Sequence, residues 1–587
     1  LLAAACAPAW PGSGSIPEGG TVRVGDAAEP DSMLSAGITG ADPNAYAITG
    51  PVMEGLLAAR PAGGVAAHPH GPADYWRPQL AIRVPTVENG GVRLAGPGMD
   101  VTWKLRAGVT WQDGRPFTSR DVWATFQFHW LRYGPHNPTP ILSTQGWDQV
   151  TGVLTPDPHT AVVHFKSVYG PYLSLGSGPY GIMPAHLLER AWAQGGDLTR
   201  TRLAIDVPGA YRGTAAWGRW LVGTGPFMFK DWVPGDHVTL VRNPRWWGPR
   251  PHLDYIYIQF QPDPSGELAA VRSGAVDLGL DMGVGALPAI GHVPDFAAQA
   301  LPAGGVEKID LNLHNRYLAD PAIRRAILMA IDRQAIVDIL LDGRTVVPSD
   351  SWLCAAAAWC VDPSLPRTRY DPGGARALLA AAGYPVQASG AGRGYRRFGD
   401  GSTITLGILA PAGDQMGQRE RDVVATDLRR IGIRVRLPAR DPSADLIGGE
   451  YQDGGLLATH RFDMAITGAR YSSPAEPAAL EASYACPAAA GPAGGGGQVG
   501  LLEVAHENDT FTCEKLLDRA LAAGRQTATA VGRRLAYQAA QRVLGSLLPE
   551  VPLYRLITVQ AVSAHLHGYR GNAFYWLQGC QDWWVSG

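Results

Sequence analysis

The sequence predicts an α/β protein of more than one lobe, on three observations. At 587 residues the chain exceeds what a single hydrophobic core usually serves. Thr403 to Ala410, Arg419 to Arg430 and Ile433 to Leu437 read as strand, helix and strand, a βαβ crossover that calls for a partly parallel sheet. Phe227 to Trp232 and His237 to Arg242 are rich in aromatic and β-branched residues and flank the turn residues Val233-Pro234-Gly235-Asp236, so they read as a buried hairpin.

Composition narrows the class. Lys plus Arg number 50 and Asp plus Glu 52, a net charge of -2, so the chain as a whole offers no electrostatic case for nucleic acid or an anionic membrane. Apolar residues make up 46% and there are 18 Trp, which indicates a packed globular protein despite 73 Gly and 47 Pro. Beyond the first residues no apolar run is long enough to span a bilayer.

Taken in order, Leu1 to Cys6 (LLAAAC) reads as the end of an apolar leader, and Ala7 to Gly20 as a flexible tether. Thr21 to Gly25 is a first strand and Asp42 to Leu57 a helix. Val101 to Leu105 alternates as a strand, and Thr118-Ser119-Arg120-Asp121 opens a helix with capping-box spacing, Asp standing in for Glu. Val122, Trp123, Phe126 and Trp130 share one face of it at core spacing. Ala161 to Phe165 is another strand. Gly223-Thr224-Gly225-Pro226 halts any helix ahead of the hairpin, because Pro226 lacks an amide proton and pushes Gly225 out of the α region. Behind the hairpin, Asn243-Pro244 opens a turn and Trp246-Trp247 offers a large area to bury. Tyr255 to Gln261 is a strand, Ser265 to Ser273 a helix ended by Gly274, and Asp277-Leu278 begins the next strand. Asp320-Pro321 and Asp371-Pro372 each place an N-cap before a proline at the first helical position. Past the crossover, Phe462 to Tyr471 is a strand running into a loop, Pro487 to Gly500 is low-complexity Gly/Ala, Val531 to Leu548 is a helix, and Pro549 to Thr558 leads to a strand.

The residues that could carry chemistry favour structural readings. No GxSxG, HExxH or GxxxxGK motif occurs. His68-Pro69-His70 has no neighbouring Cys or Asp pair and reads as a solvated loop, His186 as a capping or core residue, and Glu54 as structural. Gly390, Gly392 and Gly394 follow no strand and open no helix. Cysteine spacing shows no CxxC repeat and no paired His, so a structural zinc site is not expected; no other metal and no cofactor is expected either. In an oxidising compartment disulfides are the default; Cys354 and Cys360 are near in sequence, Cys486 and Cys513 flank the Gly/Ala loop, and Cys580 is left over.

Several stretches together resemble a known family. GTGPFMFKDWVPGDHVTLVRNPRWWG (Gly223 to Gly248) is similar to the central signature of the extracytoplasmic solute-binding proteins of ABC importers, family 5, the oligopeptide, dipeptide and nickel type. Val101 to Trp130, Leu253 to Leu278 and Leu311 to Gly343 resemble further blocks in the same order, so the resemblance runs from about residue 21 to the C-terminus. It implies a two-lobed, type II periplasmic-binding-protein-like α/β fold with mixed sheets, flanking helices, a hinge between lobes and an extra subdomain inserted in the first lobe. The implied division is 21-50, 205-305 and 561-587 for lobe I, 51-204 for the inserted subdomain and 306-560 for lobe II, with 1-20 as leader and tether. LLAAAC looks like a bacterial lipobox, which would make Cys6 the lipidated first residue, although Leu2 stands one place further from Cys6 than the pattern prefers. An ordinary signal-peptidase site beside a chance cysteine is the alternative.

By resemblance, the chain would capture a small or peptide-like solute between its lobes and deliver it to ABC permease subunits, as a monomer without catalysis. A ligand-presenting sensor shares every feature of this reading, and a secreted glycoside hydrolase with a carboxylate pair in a Trp-lined cleft is a third. The family places a ligand-facing segment after the Phe462-Asp463 strand, so Gly468, Ala469, Arg470, Tyr471, Ser472 and Ser473 are the expected cleft residues. Peptide-binding members carry there an aspartate for the peptide's α-amino group. Anchoring on Pro474 puts Arg470 at that position, on Phe462-Asp463 Ser472, and on Pro477 Ser473; none is a carboxylate. A ligand that is neutral or anionic at that end is therefore expected, with Arg470 its partner; the alternative gives the aspartate's task to Glu476.

Overall fold

The structure, a computed structural model, describes residues 16–26, 29–30, 48–60, 70–133, 146–178, 181–195, 221–261, 263–354, 357–440, 442, 455–457, 459–470, 476–477, 481, 483–486, 508, 510–572 and 577–586. The side chains of 130–133, 191–195, 264 and 469–470 lie outside that description, as do Cys6, His68 and the Pro487–Gly500 stretch entirely.

Strand β1 (Thr21–Asp26) is followed by the short pair β2 (Leu57–Ala59) and β3 (Trp76–Pro78), and then by β4 (Val92–Ala95), β5 (Gly98–Lys104), β6 (Val150–Asp157) and β7 (Thr160–Phe165). The last four form their own antiparallel sheet in the order β4-β5-β7-β6, with the Ser119–Tyr133 helix against β6 and β7. At that helix's start the Asp121 carboxylate accepts from the Thr118 N–H at 2.8 Å, one arm of the capping box, while the Thr118 hydroxyl accepts from the Arg120 N–H instead of the third residue's.

The hairpin β8 (Phe227–Val233) and β9 (His237–Arg242) pairs onto β10 (Tyr255–Phe260), and β11 (Leu278–Met282) follows. The remaining strands are β12 (Phe296–Leu311), β13 (Thr405–Leu409), β14 (Arg434–Arg436), β15 (Met464–Arg470), β16 (Glu550–Ser563), β17 (Leu566–His567) and β18 (Trp584–Val585). Ten of these strands make one mixed sheet, ordered β14-β13-β15-β12-β16-β11-β1-β10-β9-β8. The crossover from β13 through the Gln415–Arg430 helix to β14 is parallel, as the sequence demands.

Two long strands hold this sheet together. β12 and β16, 16 and 14 residues long, run antiparallel through its middle. The C-terminal half of β16 pairs with β11 beside the first core, in which Val22, Ile256, Leu278 and Trp583 are buried, and the N-terminal half of β12 pairs along its other edge. The C-terminal half of β12 pairs with β15, and with the N-terminal half of β16 it lies beside the second core, built on Ile309, Ile327, Leu406, Val424 and Leu553. Between the pairs Pro302↔Ile557 and Val306↔Arg555 the register breaks, β12 carrying three residues where β16 carries one. Pro302 has no N–H for the ladder and Gly304 takes a positive φ of 68° that a side chain would oppose. The result is a two-lobed α/β molecule with an extra sheet beside the first lobe.

Local capping fixes helices on both lobes. Asp320 and Asp371 accept from the Ala322 and Gly374 N–H groups at 2.7 Å each, and Asp263 caps the Pro264–Ser273 helix, which Gly274 ends in the left-handed region. One sequence expectation fails in its last part: helix is described only at Ile48 and Thr49, and Leu57 starts a strand. Pro51 removes a helical donor, and Leu56 and Leu57 exchange 2.8 Å backbone bonds with Gly176 and Gly178 instead.

Candidate functional site between the lobes

The end of β15 brings the expected cleft segment to the point where the sheet changes lobe. Gly468 lies opposite Glu307 of β12, Ala469 opposite Val306 and Arg470 opposite Gly305, immediately beside the register break. A Cβ on Gly468 would stand 3.2 Å from Glu307 Oε2, so the partly exposed Glu307 carboxylate lies against the strand there. The side chain of Arg470 and the whole of Tyr471, Ser472 and Ser473 lie outside the described residues.

Beneath this segment lies a buried ionic knot that the sequence reading missed. Lys308, 3% exposed, pairs with Asp310 and, at 3.0 Å, with Glu550 Oε1. Glu550 Oε2 accepts from the Tyr484 hydroxyl at 2.8 Å and from the Trp352 indole, and Asp310 accepts from the Thr467 hydroxyl at 2.6 Å. The two carboxylates raise the Lys308 pKa and hold the ammonium charged; for Glu550, burial outweighs its partners and pushes the pKa up. The signal available was the Lys308/Asp310 alternation inside an apolar strand, but the partner Glu550 is far away in sequence.

Glu476, one residue past Ala475, is not free for a ligand. Its carboxylate takes a bidentate pair from Arg533, at 3.2 Å to Nη1 and 2.6 Å to Nη2, and both residues are buried. The lobe II face also meets the inserted sheet here. A continuous apolar core joins Leu56, Trp76, Trp103 and Phe126 to Trp352, Trp359, Tyr484 and Tyr537, and the Tyr75 hydroxyl accepts from the Ala358 N–H at 2.9 Å. Two disulfides brace this side, Cys354–Cys360 and Cys486–Cys513, while Cys580 is a buried free thiol in the first core.

A second concavity, about 190 Å³, lies away from the lobe boundary and is walled by Glu54, Arg77, Trp246, Trp247 and the Leu577–Asp582 turn. Glu54 accepts from Gln79 Nε2 at 3.0 Å, the Thr224 hydroxyl at 2.9 Å and the Trp246 and Trp247 indoles at 3.4 and 2.8 Å. With all its lone pairs engaged, it serves the fold. His186, the second residue of the Ala185–Gly195 helix, pairs with Asp113 at 2.6 Å, again a structural partner. Among the described residues no group of three His, Cys, Asp or Glu could hold a metal, and no helix is long and apolar enough to cross a membrane.

Known proteins share this architecture. Protein XP55 of Streptomyces lividans is 27% identical over 441 residues, covering 72% of this chain and 68% of that protein. A putative ABC transporter peptide-binding protein of Brucella ovis is 28% identical over 285 residues, a match spanning 48% of this chain and about half (49%) of that relative. Among solved structures, the oligopeptide-binding protein AppA of Bacillus subtilis, in complex with a nonapeptide, superposes with a TM-score of 0.65 at 19% identity, over 98% of this chain and 100% of that one. The model of the bacterial extracellular solute-binding proteins, family 5 (middle), matches residues 92–491, and with this fold and lobe boundary the chain belongs to that family of substrate-binding proteins.

Proposed function

We propose that this chain is the extracytoplasmic solute-binding component of an ABC import system, taking a solute between lobe I (21-50, 205-305, 561-587) and lobe II (306-560) and delivering it to a permease. The observation that carries the reading is the single sheet crossed by β12 and β16 with its register broken between Pro302 and Val306. Two lobes on such a bridge rotate as units, and the crevice beyond the strand ends is where open α/β sheets take ligands. The inserted subdomain (51-204) forms one wall. No catalytic step is assigned, and the protein works as a monomer anchored through a lipidated Cys6. Globomycin should then accumulate precursor and Cys6→Ala should release soluble protein; unchanged processing in both rejects the anchor.

The solute we assign is neutral or anionic where peptide carriers hold an α-amino group. Glu476 supports this, because its carboxylate is already neutralised by Arg533 and a ligand ammonium would have to compete with a buried bidentate pair. A second reading rests on Glu307 beside Gly468, which would offer a carboxylate to a cationic group. Mass spectrometry of solute released from the denatured protein identifies the class directly. Calorimetry with di- to pentapeptides and their N-acetylated forms separates the readings: submicromolar binding that acetylation abolishes favours Glu307 and rejects the neutral or anionic ligand.

A further inference from the structure

The second concavity holds a cation that the fold leaves unused. Strand β3 pairs Arg77 with Ala58, and the alternation that sends Trp76 into the core, 1% exposed, turns Arg77 to the opposite face, where it lines the space of about 190 Å³. Half-buried there, its guanidinium has no hydrogen bond and no ion pair among the described residues. Burial lowers its pKa, an effect that attraction from Glu54 and Asp582 only partly offsets and that Arg60 reinforces. Neither carboxylate is available to it. Glu54 is held by its four donors, and Asp582, exposed to solvent, accepts from Gln581 Nε2 at 3.0 Å. Gln578, on the facing turn, has its Oε1 occupied by Asn572 Nδ2 at 2.8 Å, so what it can offer a ligand is an amide N–H.

We propose that this concavity is a second ligand site, separate from the crevice between the lobes, and that it takes a small monocarboxylate with a flat apolar body. The planar fork of Arg77 matches a carboxylate with two parallel hydrogen bonds, and a ligand that makes them removes the cost of a desolvated, uncompensated charge. Trp246, Pro51 and Pro226 wall the same space and give the apolar body a surface to cover. Charge sets the valence. One unpaired guanidinium with Asp582 close by suits a single negative charge, whereas a phosphate dianion would leave its second charge facing that carboxylate. Size sets the class, because about 190 Å³ falls below the roughly 300 Å³ at which pockets for drug-sized ligands begin, and so excludes a peptide. The inference goes beyond the import reading and does not depend on it.

Ligand-observed NMR titration of the full chain with sodium benzoate tests the site, with benzamide as the neutral analogue of the same shape and inorganic phosphate as the dianion. Benzoate should bind in the submillimolar range, and benzamide and phosphate at least about tenfold more weakly, the effect of losing one charge-assisted hydrogen bond. Arg77→Gln should weaken benzoate by a similar factor without lowering the melting temperature, because the guanidinium makes no hydrogen bond that the fold would lose. Arg77→Lys, which keeps the charge but not the fork, should fall between the two. Gln578→Glu keeps an oxygen for Asn572 and sets a negative charge against the carboxylate, so it should abolish binding while the protein stays folded. Absence of benzoate binding, benzamide or phosphate binding as tightly as benzoate, or a benzoate affinity unchanged in Arg77→Gln or in Gln578→Glu overturns the proposal. An affinity unchanged in both variants would place the benzoate elsewhere, the interlobe crevice included. The readout is a defined probe and not the transported solute, so failure of this site leaves the import reading standing.

Discussion

The indole N–H of Trp247 donates to Glu54 Oε2 at 2.8 Å, joining positions 193 residues apart. Trp246, Thr224 and Gln79 converge on the same carboxylate, so the hairpin's aromatic tail, the glycine turn ahead of it and the start of the inserted subdomain are fastened at one point. Glu54→Ala would deprive the buried Thr224 hydroxyl and three partly buried donors of their acceptor. We expect it to cost about 3 kcal/mol in urea unfolding, and Glu54→Gln, which keeps an acceptor, about 1 kcal/mol. Equal losses would show that volume rather than hydrogen bonding sets the effect.

Gly223 provides a sharper test of the same junction. A Cβ there would fall 1.7 Å from the Val52 carbonyl oxygen, and at Gly225 2.3 Å from that of Pro51. Backbone must move to admit a methyl group, so Gly223→Ala should fail to fold at 37 °C or lose on the order of 3 kcal/mol, with Gly235→Ala, in open space at φ 76°, costing only about 1 kcal/mol. Comparable melting temperatures for the two variants would refute the close approach.

Glu267 and Glu420 give the protein a pH dependence of known sign. Burial, with Asp26 and Asp281 adding repulsion, pushes Glu267 up to about 9, and burial pushes Glu420 up to about 8. Their folded-state values lie above the unfolded ones, so the folded chain binds more protons between them. The stability they contribute is full below about pH 4.5 and is lost as pH rises toward 8 to 9. Glu267→Gln should flatten the stability profile over that window and exceed the parent by at least about 1 kcal/mol at pH 8. A profile that keeps its slope would place the proton elsewhere.

The disulfides close loops of different length, with separations of 6 residues for Cys354–Cys360 and 27 for Cys486–Cys513. Chain entropy alone assigns about 2.2 kcal/mol to the shorter and about 3.6 kcal/mol to the longer. Paired Cys→Ser replacements should follow that order in chemical denaturation. The reverse order would mean that native packing around Trp359, not loop closure, decides.

Much of the fold was legible because its signals are local. The N-caps Asp320 and Asp371 act within three residues, and the β8–β9 hairpin is set by its own turn. The long reach of β12 was not, since Pro302, Gly304 and Gly305 read locally as breakers; pairing with β16 on both sides of them carries the strand through. The glycines of Gly223-Thr224-Gly225 read as a helix stop, yet they are there because backbone crosses backbone. The site was legible only as a segment. Lys308 with Glu550, and Arg533 with Glu476 and Gly170, are pairings between distant positions, which a periodicity or a cap cannot announce.

The unmatched stretch of β12 between Pro302 and Val306 has a mechanical consequence. A continuous ladder is stiff in its own plane, and a short gap in it removes stiffness in bending while leaving resistance to sliding nearly intact. The lobes are thus left with one soft coordinate and several hard ones. Motion along that coordinate would be limited by solvent friction rather than by rupture of secondary structure, and its rate should fall in proportion to added glycerol viscosity.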